Sequence, residues 1–258
     1  VIAMLAKKEP SAALSADDCG RLPLHLAAAG GHVKAVRALL KAVKDGKARR
    51  KMIRHPDAAG RTALHHAAPA SDAVVARLLE AYSACGVDAE GVKAYAALAT
   101  SDGAVALALA CGSNCVGAVA TLVKVDAAPL RSADRDGRIA AHRAAGVGAA
   151  SAIRLVGEID RGCLHAVDRR ARTPAHVAAA GGHIDVLRVL IELDASCCGS
   201  DKRESAGASP AELAAAAGHR AAAQLLESVV CARKEAAEEE QKTVGDGEDS
   251  VRVEVVRR

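Results

Sequence analysis

An internal repeat is the feature of this sequence that most restricts its fold. The first clear copy runs GRLPLHLAAAGGHVKAVRALL from Gly20 to Leu40, and the fifth runs ARTPAHVAAAGGHIDVLRVLI from Ala171 to Ile191. A repeat of this kind is typical of solenoids, in which each unit buries its apolar face only against its neighbours. The remaining copies begin GRTALHHAA at Gly60, GAVALALAC at Gly103, GRIAAHRAA at Gly137 and GASPAELAAAAGH at Gly207.

Each copy predicts a tight turn followed by two short helices. A glycine such as Gly60 permits the positive φ that a turn needs, and an aspartate three positions earlier can accept hydrogen bonds from the turn backbone. Thr173 and Pro174 suit the start of a helix, and Gly182 suits its end. Apolar spacing from Ile184 to Ile191 predicts the second helix. The equivalent aspartates are Asp17, Asp57, Asp134 and Asp168.

Composition favours close-packed small side chains. Hydrophobic residues make up 51% of the chain, yet it has no Phe, no Trp and only two Tyr, so a core of bulky aromatics is excluded. The net charge of +4 is too small to indicate a dedicated nucleic-acid binder. Eight cysteines at irregular spacings, with no secretory signal before them, predict free thiols in a reducing compartment. No apolar run reaches the ~18 residues of a membrane helix.

The chain resembles the ankyrin-repeat family, through the T-P-x-H-x-A helix start at 173–178 and the Gly-His break at 182–183. Steps between successive turns are 40, 43, 34, 34 and 36 residues, so three of five lie near the family period of about 33. The resemblance implies an all-α repeat solenoid of stacked helix-turn-helix units with β-turn or hairpin tips.

The repeats divide the chain into an array and a tail. We expect an ankyrin array over 1–230, containing a partial repeat at 1–16 and a basic insertion at 41–56, and a charged, flexible tail over 231–258. Residues 1–5 resemble the end of a second helix, so further repeats are expected upstream. The predicted repeats start near residues 17, 57, 100, 134, 168 and 204.

Three copies depart from the repeat pattern. The third lacks the signature His and Pro and has Asn114-Cys115 in place of Gly-His, and the sixth has Glu212 in place of His. The fifth has Ala171 at the turn glycine. An alanine held at positive φ costs on the order of 1 kcal/mol, so we expect repeats three to five to be locally weaker.

The histidines and cysteines predict structural roles. Seven of the ten histidines follow the repeat, and the resemblance implies that they hydrogen-bond within and between repeats. Cys111 and Cys115 lie one helical turn apart without a second pair to complete a zinc site, and Cys163 with His165 lacks a third catalytic group. No phosphate-binding loop is present. The sequence therefore predicts no enzyme activity, no metal and no cofactor.

Arginines recur at the predicted turns and form the first candidate site. Stacking aligns equivalent positions, so these side chains should form a row along one edge of the array. One hypothesis is that the row binds an acidic segment of a partner protein. The alternative, which the sequence favours, is that these arginines are solvated and have no partner. The residues are Arg21, Arg61, Arg135, Arg138, Arg169, Arg170 and Arg172.

The insertion at 41–56 forms the second candidate site. It resembles a basic nuclear-import cluster and could also meet acidic lipid or RNA. The alternative, which the sequence favours, is a solvated extension of the first repeat's second helix. The cluster comprises Lys47, Arg49, Arg50 and Lys51.

These features favour a non-catalytic scaffold or adaptor that binds another protein through the turn tips and the inner-helix face, which the resemblance implies is the usual binding surface. The alternative is a regulatory arm of a larger enzyme or channel. Nucleic-acid binding is disfavoured because bases would have no Phe or Trp to stack on. No small-molecule substrate is expected. Location is predicted to be intracellular, in the cytoplasm or, through the basic cluster, the nucleus.

Overall fold

A computed structural model describes residues 10–199 and 207–236, and within these ranges the regular structure is helical. Short inner helices alternate with longer outer helices. The inner helices are α1 (Pro23–Ala29), α4 (Ala63–Ala67), α7 (Ala106–Cys111), α9 (Ala140–Gly146), α11 (Pro174–Ala180) and α13 (Pro210–Ala216). The outer helices are α2 (Val33–Ala42), α5 (Asp72–Ser83), α8 (Val116–Val125), α10 (Ala150–Ile159), α12 (Ile184–Asp194) and α14 (220–236). Short 3-10 helices cover Pro10–Leu14, Ala128–Arg131, Arg161–Leu164 and Ala195–Cys198.

The two sets of helices stack into adjacent layers. Each inner helix packs against the inner helix of the next repeat, and the outer helices do the same. Paired alanines such as Ala144 and Ala145 are completely buried, which lets the helix backbones approach closely. Leucines including Leu64 and Leu187 fill the space between the layers. The all-α repeat solenoid predicted from the sequence is confirmed.

The turns form a continuous ladder along one edge. The φ of Gly60 is 72° and that of Gly137 is 76°, as the turn requires. Ala171 takes the same conformation with φ 56°, so the expected strain at the fifth turn is present. One backbone hydrogen bond joins each of the first four turns to the next: Ala58 N–H to Cys19 O (2.9 Å), Ser101 to Ala59 (2.9 Å), Arg135 to Asp102 (2.9 Å) and Arg169 to Asp136 (3.0 Å).

The two long steps of the repeat contain additional helices. The first forms α3 (Gly46–Arg54) and the second forms α6 (Ala89–Ala96). The first segment therefore differs from the extension of α2 that the sequence favoured, because α2 ends at Ala42 and a new helix begins at Gly46. Asp45 starts that helix by accepting hydrogen bonds from the N–H groups of Lys47 and Ala48.

Several predicted boundaries lie partly or wholly outside the described residues, and they stay predictions. The partial repeat at 1–16 is described only from residue 10, and the start near 204 falls in the 200–206 gap. Residues 231–236, assigned to the tail from sequence, continue the helix that begins at residue 220. Residues 237–258 lie beyond the described part of the chain.

Candidate protein-interaction surfaces

Buried aspartates organise the turns. The carboxylate of Asp168 accepts hydrogen bonds from the N–H groups of Arg170 and Arg172 at 2.8 and 2.9 Å, and Asp134 holds Asp136 and Arg138 in the same way. Burial alone would raise the pKa of Asp134 and Asp168, but these N–H groups and the neighbouring guanidinium groups outweigh it and lower the pKa. The turn carboxylates are therefore ionised at neutral pH.

Three arginines of the predicted row are engaged by these aspartates. Arg172 donates from Nε and Nη2 to Asp168 at 2.9 and 2.7 Å. Arg138 pairs with Asp134 at 3.2 Å and with Asp136 at 2.8 Å. Arg21 contacts Asp17 at 2.9 Å. Their guanidinium groups support the turn that carries them, so their charge is already largely balanced.

The other four arginines of the row have no ion-pair partner in the described part of the chain. Arg61, Arg135, Arg169 and Arg170 are exposed. Within 10–199 and 207–236, no carboxylate lies within 4.0 Å of any of their guanidinium groups. The ladder of turn hydrogen bonds places Arg135 and Arg169 at equivalent positions in successive repeats. Positive charge available to a partner is thus concentrated at the fourth and fifth turns.

In the second turn a histidine contacts the turn aspartate, and Arg61 has no carboxylate partner among the described residues. His66 Nε2 lies 2.8 Å from Asp57 Oδ2, while Asp57 Oδ1 accepts the N–H groups of Ala59 and Arg61. Burial opposes ionisation of Asp57, but these backbone bonds and His66 lower its pKa. The second turn therefore presents an unpaired guanidinium where the fifth presents an engaged one.

The inner helices present a shallow face beside the turns. One side chain of each helix faces outward at the position after the signature histidine, and it is half-buried except for Leu26, which is 49% exposed. The middle of this row is polar, since His66 and Arg143 stand between aliphatic residues. Arg143 donates to Asp134 at 2.8 Å and lies 3.8 Å from Asp102. The row is Leu26, His66, Leu109, Arg143, Val177 and Leu213.

Sequence reasoning missed Arg143 and His66. Both stand at the variable position of the signature, where the other repeats have Leu or Val, and that deviation was the available signal. Each side chain reaches the carboxylate nine residues earlier in its own repeat. A sequence comparison of the six copies at that one position would have identified both.

The signature histidines join one repeat to the next. His65 Nδ1 accepts the N–H of Thr62 at 3.1 Å, and a backbone N–H can only donate, so the ring proton lies on Nε2. Nε2 then donates to Leu98 O at 2.8 Å. His25 and His142 make equivalent pairs of contacts, reaching the carbonyl oxygens of His55 and Arg172.

These histidines are held neutral. Burial lowers the pKa of His65 to about 4, and it also lowers the pKa of His25 and His142. Protonating Nδ1 would remove the acceptor for the Thr62 N–H. The structural role that the family resemblance implied for these side chains is confirmed by the geometry.

In the insertion helix α3, one residue of the basic cluster makes a structural contact and the other three are exposed. Arg49 Nε and Nη2 donate to Val43 O at 3.0 and 2.8 Å, so this guanidinium closes the end of α2. Lys47, Arg50 and Lys51 are exposed, and Arg54 continues the same stripe of the helix. The four-residue cluster predicted from sequence is therefore not presented as one unit, because Arg49 faces inward.

The cysteines were the candidates for catalysis or metal binding. All eight cysteines are free thiols. Burial raises the pKa of Cys111 to about 12, and burial together with Asp160 raises that of Cys163 to about 12, so both are protonated at neutral pH. His165 pairs with Asp194 at 2.8 Å. Across the described residues, no three His, Cys, Asp or Glu side chains are placed to hold a metal ion.

Bilayer-spanning helices are also not found in the described part of the chain, where each helix is too short or too polar.

Comparison with known families agrees with this architecture. The family model described as ankyrin repeats, in three copies, matches residues 1–91, and the single ankyrin-repeat model matches residues 171–202. No match is found among curated proteins. These matches show that the chain contains ankyrin repeats, in agreement with the repeated turn, inner helix and outer helix. Ankyrin repeats are protein-interaction modules, which supports a scaffold role for this chain.

Proposed function

We propose that this protein is a non-catalytic adaptor that binds an acidic segment of a partner protein along its turn edge and the adjoining inner-helix face. The observation that carries the proposal is the division of the arginine row. No carboxylate among the described residues pairs with Arg61, Arg135, Arg169 or Arg170. The aspartates of the fourth and fifth turns, Asp134 and Asp168, are paired with Arg138, Arg143 and Arg172 instead. The turn ladder holds their backbones in fixed register.

The inner-helix face complements that edge. Leu26, Leu109, Val177 and Leu213 supply aliphatic contact on either side of the polar His66 and Arg143. Interface affinity depends on a few well-placed anchors, and exposed charges mainly set the rate and selectivity of encounter. We therefore expect the arginines to orient an acidic segment and the aliphatic row to contribute most of the contact area.

The surroundings of the cysteines support an intracellular setting for this function. The sulfurs of Cys197 and Cys198 lie 3.6 Å apart in a hydrogen-bonding contact and form no disulfide, and Cys111 and Cys163 are buried thiols. Free thiols in this number are ordinary in a reducing compartment. Location in the cytoplasm is proposed on this ground, and nuclear entry through the basic cluster stays a prediction.

Affinity capture from the native cell extract tests the proposal. The bait is compared with a variant in which Arg61, Arg135, Arg169 and Arg170 are all changed to Glu. The matched control reverses four exposed cations of the outer helices, Lys34, Arg37, Lys124 and Arg188, and so changes the net charge equally. Circular dichroism of each variant checks that the fold is retained.

A partner lost from the turn variant and kept by the control supports the proposal. Equal retention by both variants would place the binding surface elsewhere. Capture of no partner by the unmodified chain would contradict an adaptor role and favour a regulatory arm acting on a domain of its own protein.

A further inference from the structure

The exposed face of α3 is a second basic surface, formed by residues other than the turn arginines. Lys47, Arg50, Lys51 and Arg54 follow one another at helical spacings of three, one and three residues, which places them on one stripe. We propose that this stripe is a second docking surface, and that its occupant is an acidic helical segment of a partner polypeptide. The proposal does not rest on the function of the turn arginines.

The helix is held firmly in place on its inner side. Met52 and Ile53 are 1% and 0% exposed. Arg49 clamps the preceding segment through Val43 O, and Tyr95 from α6 donates its hydroxyl to Ile53 O at 3.3 Å. The basic stripe therefore belongs to a fixed element, which Arg49 ties to the end of α2 and Tyr95 ties to α6.

An aromatic pair lies beneath the helix. Tyr82 and Tyr95 are the only Phe, Trp or Tyr residues of the chain, and their ring centroids lie 4.5 Å apart. Arg50 places its guanidinium carbon 5.8 Å from the centroid of the Tyr82 ring. The two long insertions of the repeat thus meet at this pair, which orients one of the four cations.

The four cations are not neutralised by any acidic side chain that the structure describes. No carboxylate within 10–199 or 207–236 lies within 4.0 Å of their charged atoms. Asp45, the nearest acidic residue in the sequence, uses its oxygens on the N–H groups at the start of α3. An open groove of about 410 Å³ runs along the stripe and is lined by Lys47, Arg50, Lys51, Arg54, His55 and Pro56.

The surroundings favour a polypeptide over other polyanions. Both tyrosines are buried, so bases of a single-stranded nucleic acid would have no exposed ring on which to stack. The exposed large apolar side chains of the described residues, such as Leu26 and Ile159, lie outside α3, so the stripe lacks an apolar wedge for a membrane.

The dimensions match a helix of opposite charge. The stripe from Lys47 to Arg54 extends about 10 Å along the axis of α3. Carboxylates placed three and four residues apart on a partner helix have the same spacing. Glutamates arranged in that way could each face one cation of the stripe.

Peptide binding tests the proposal on the full chain. The probes are two fluorescent alanine-rich helical peptides of identical composition, one with four glutamates on one face and one with them scattered around the helix. Anisotropy is measured for the wild type, for K47Q/R50Q/K51Q/R54Q, and for the matched control K34Q/R37Q/K41Q/K44Q, which loses the same charge from neighbouring exposed positions.

We expect the one-faced peptide to bind the wild type more tightly than the scattered one, and to lose roughly tenfold in affinity in the stripe variant but under about twofold in the control. K47Q/K51Q/R54Q, which keeps Arg50 over Tyr82, should show most of that loss and guards against a folding defect. The turn variant should keep the preference for the one-faced peptide over the scattered one, because its α3 stripe is unchanged.

Three outcomes would overturn the proposal. Equal loss in the stripe and control variants would show that net charge alone is responsible. Equal binding of the two peptides would show that spacing is not recognised. Tighter binding of phosphatidylserine vesicles or duplex DNA, abolished by the stripe variant, would assign the surface to a membrane or to nucleic acid instead.

Discussion

The second and third repeats have the same backbone turn but different side chains. In the second, Gly60 N–H donates to Asp57 O at 2.9 Å, and in the third, Gly103 N–H donates to Thr100 O at 2.9 Å. The second turn surrounds a carboxylate with N–H groups, whereas the third uses the Thr100 hydroxyl to accept the Ala104 N–H at 3.0 Å.

The contacts to the following repeat differ more. His65 of the second repeat reaches Leu98 O, but the third repeat has Ala108 at the equivalent position and makes no such bridge. Stacking of small side chains continues through both repeats, since Ala67 and Ala110 are completely buried. The comparison indicates that packing and turn glycines set the fold, and that the Asp and His side chains set local stability and its response to pH.

The largest expected effect is that of His65→Ala. The change removes the acceptor for Thr62 N–H and the donor to Leu98 O and leaves a cavity, so we expect a loss of about 2–4 kcal/mol in the free energy of unfolding. Urea unfolding measures it. His32→Ala is the control, because that exposed ring should cost under about 0.5 kcal/mol. Equal losses would mean that the bridge contributes little.

The pH dependence tests the same contact. His65 has a pKa of about 4 in the folded chain against 6.5 for the free side chain, because burial disfavours its charged form. Below pH 6.5 the unfolded chain binds a proton that the folded chain does not, so stability is full above that value and falls with pH until about 4.

The free energy of unfolding should therefore change measurably with pH. We expect His65 to account for about 2 kcal/mol of the stability lost between about pH 7.5 and about pH 5. His65→Gln removes the titrating ring, so this variant should lose correspondingly less stability over the same pH range. His25 and His142 are unchanged in it and continue to contribute to the pH dependence, because burial lowers their pKa as well. An unchanged slope in the Gln variant would contradict the assignment.

The turn glycine position gives a pair of opposite effects. Ala171→Gly should stabilise the chain by about 0.5–1 kcal/mol, because the residue has φ 56°. Gly137→Ala should destabilise it by at least about 1 kcal/mol, since its φ is 76° and an added Cβ would lie 2.9 Å from Arg169 N. Thermal unfolding compares the two, and changes of the same sign would refute the argument.

The smallest expected effect distinguishes engaged from unpaired arginines. Arg172→Gln should cost about 1 kcal/mol, because it removes two hydrogen bonds from buried Asp168. Arg169→Gln, at an exposed site two residues from Ala171, should change stability by less than about 0.5 kcal/mol. Denaturant midpoints measured in parallel check this, and a larger cost at Arg169 would show that the row is not divided as described.

Much of the fold was predictable because its determinants are local. Turn glycines, the aspartate three residues before them, and the Thr-Pro start at Thr173–Pro174 act within one repeat, and each was placed correctly. The insertion helix was harder to predict, because a basic segment without strong apolar periodicity reads as a solvated extension. Its independent start depends on Asp45 and on burial of Met52 and Ile53 against other repeats.

The sequence by itself determined the repeat period, the turn positions, the alternation of helices and the set of candidate arginines, because each follows from short-range patterns. Only the tertiary structure decided which arginines are free. His66 takes the Asp57 carboxylate in the second turn, and Arg143 shares Asp134 in the fourth. Tyr95 reaches Ile53 across 42 residues and fixes the basic helix. Contacts of this kind depend on how repeats pack in space, and a pattern along the chain does not specify them.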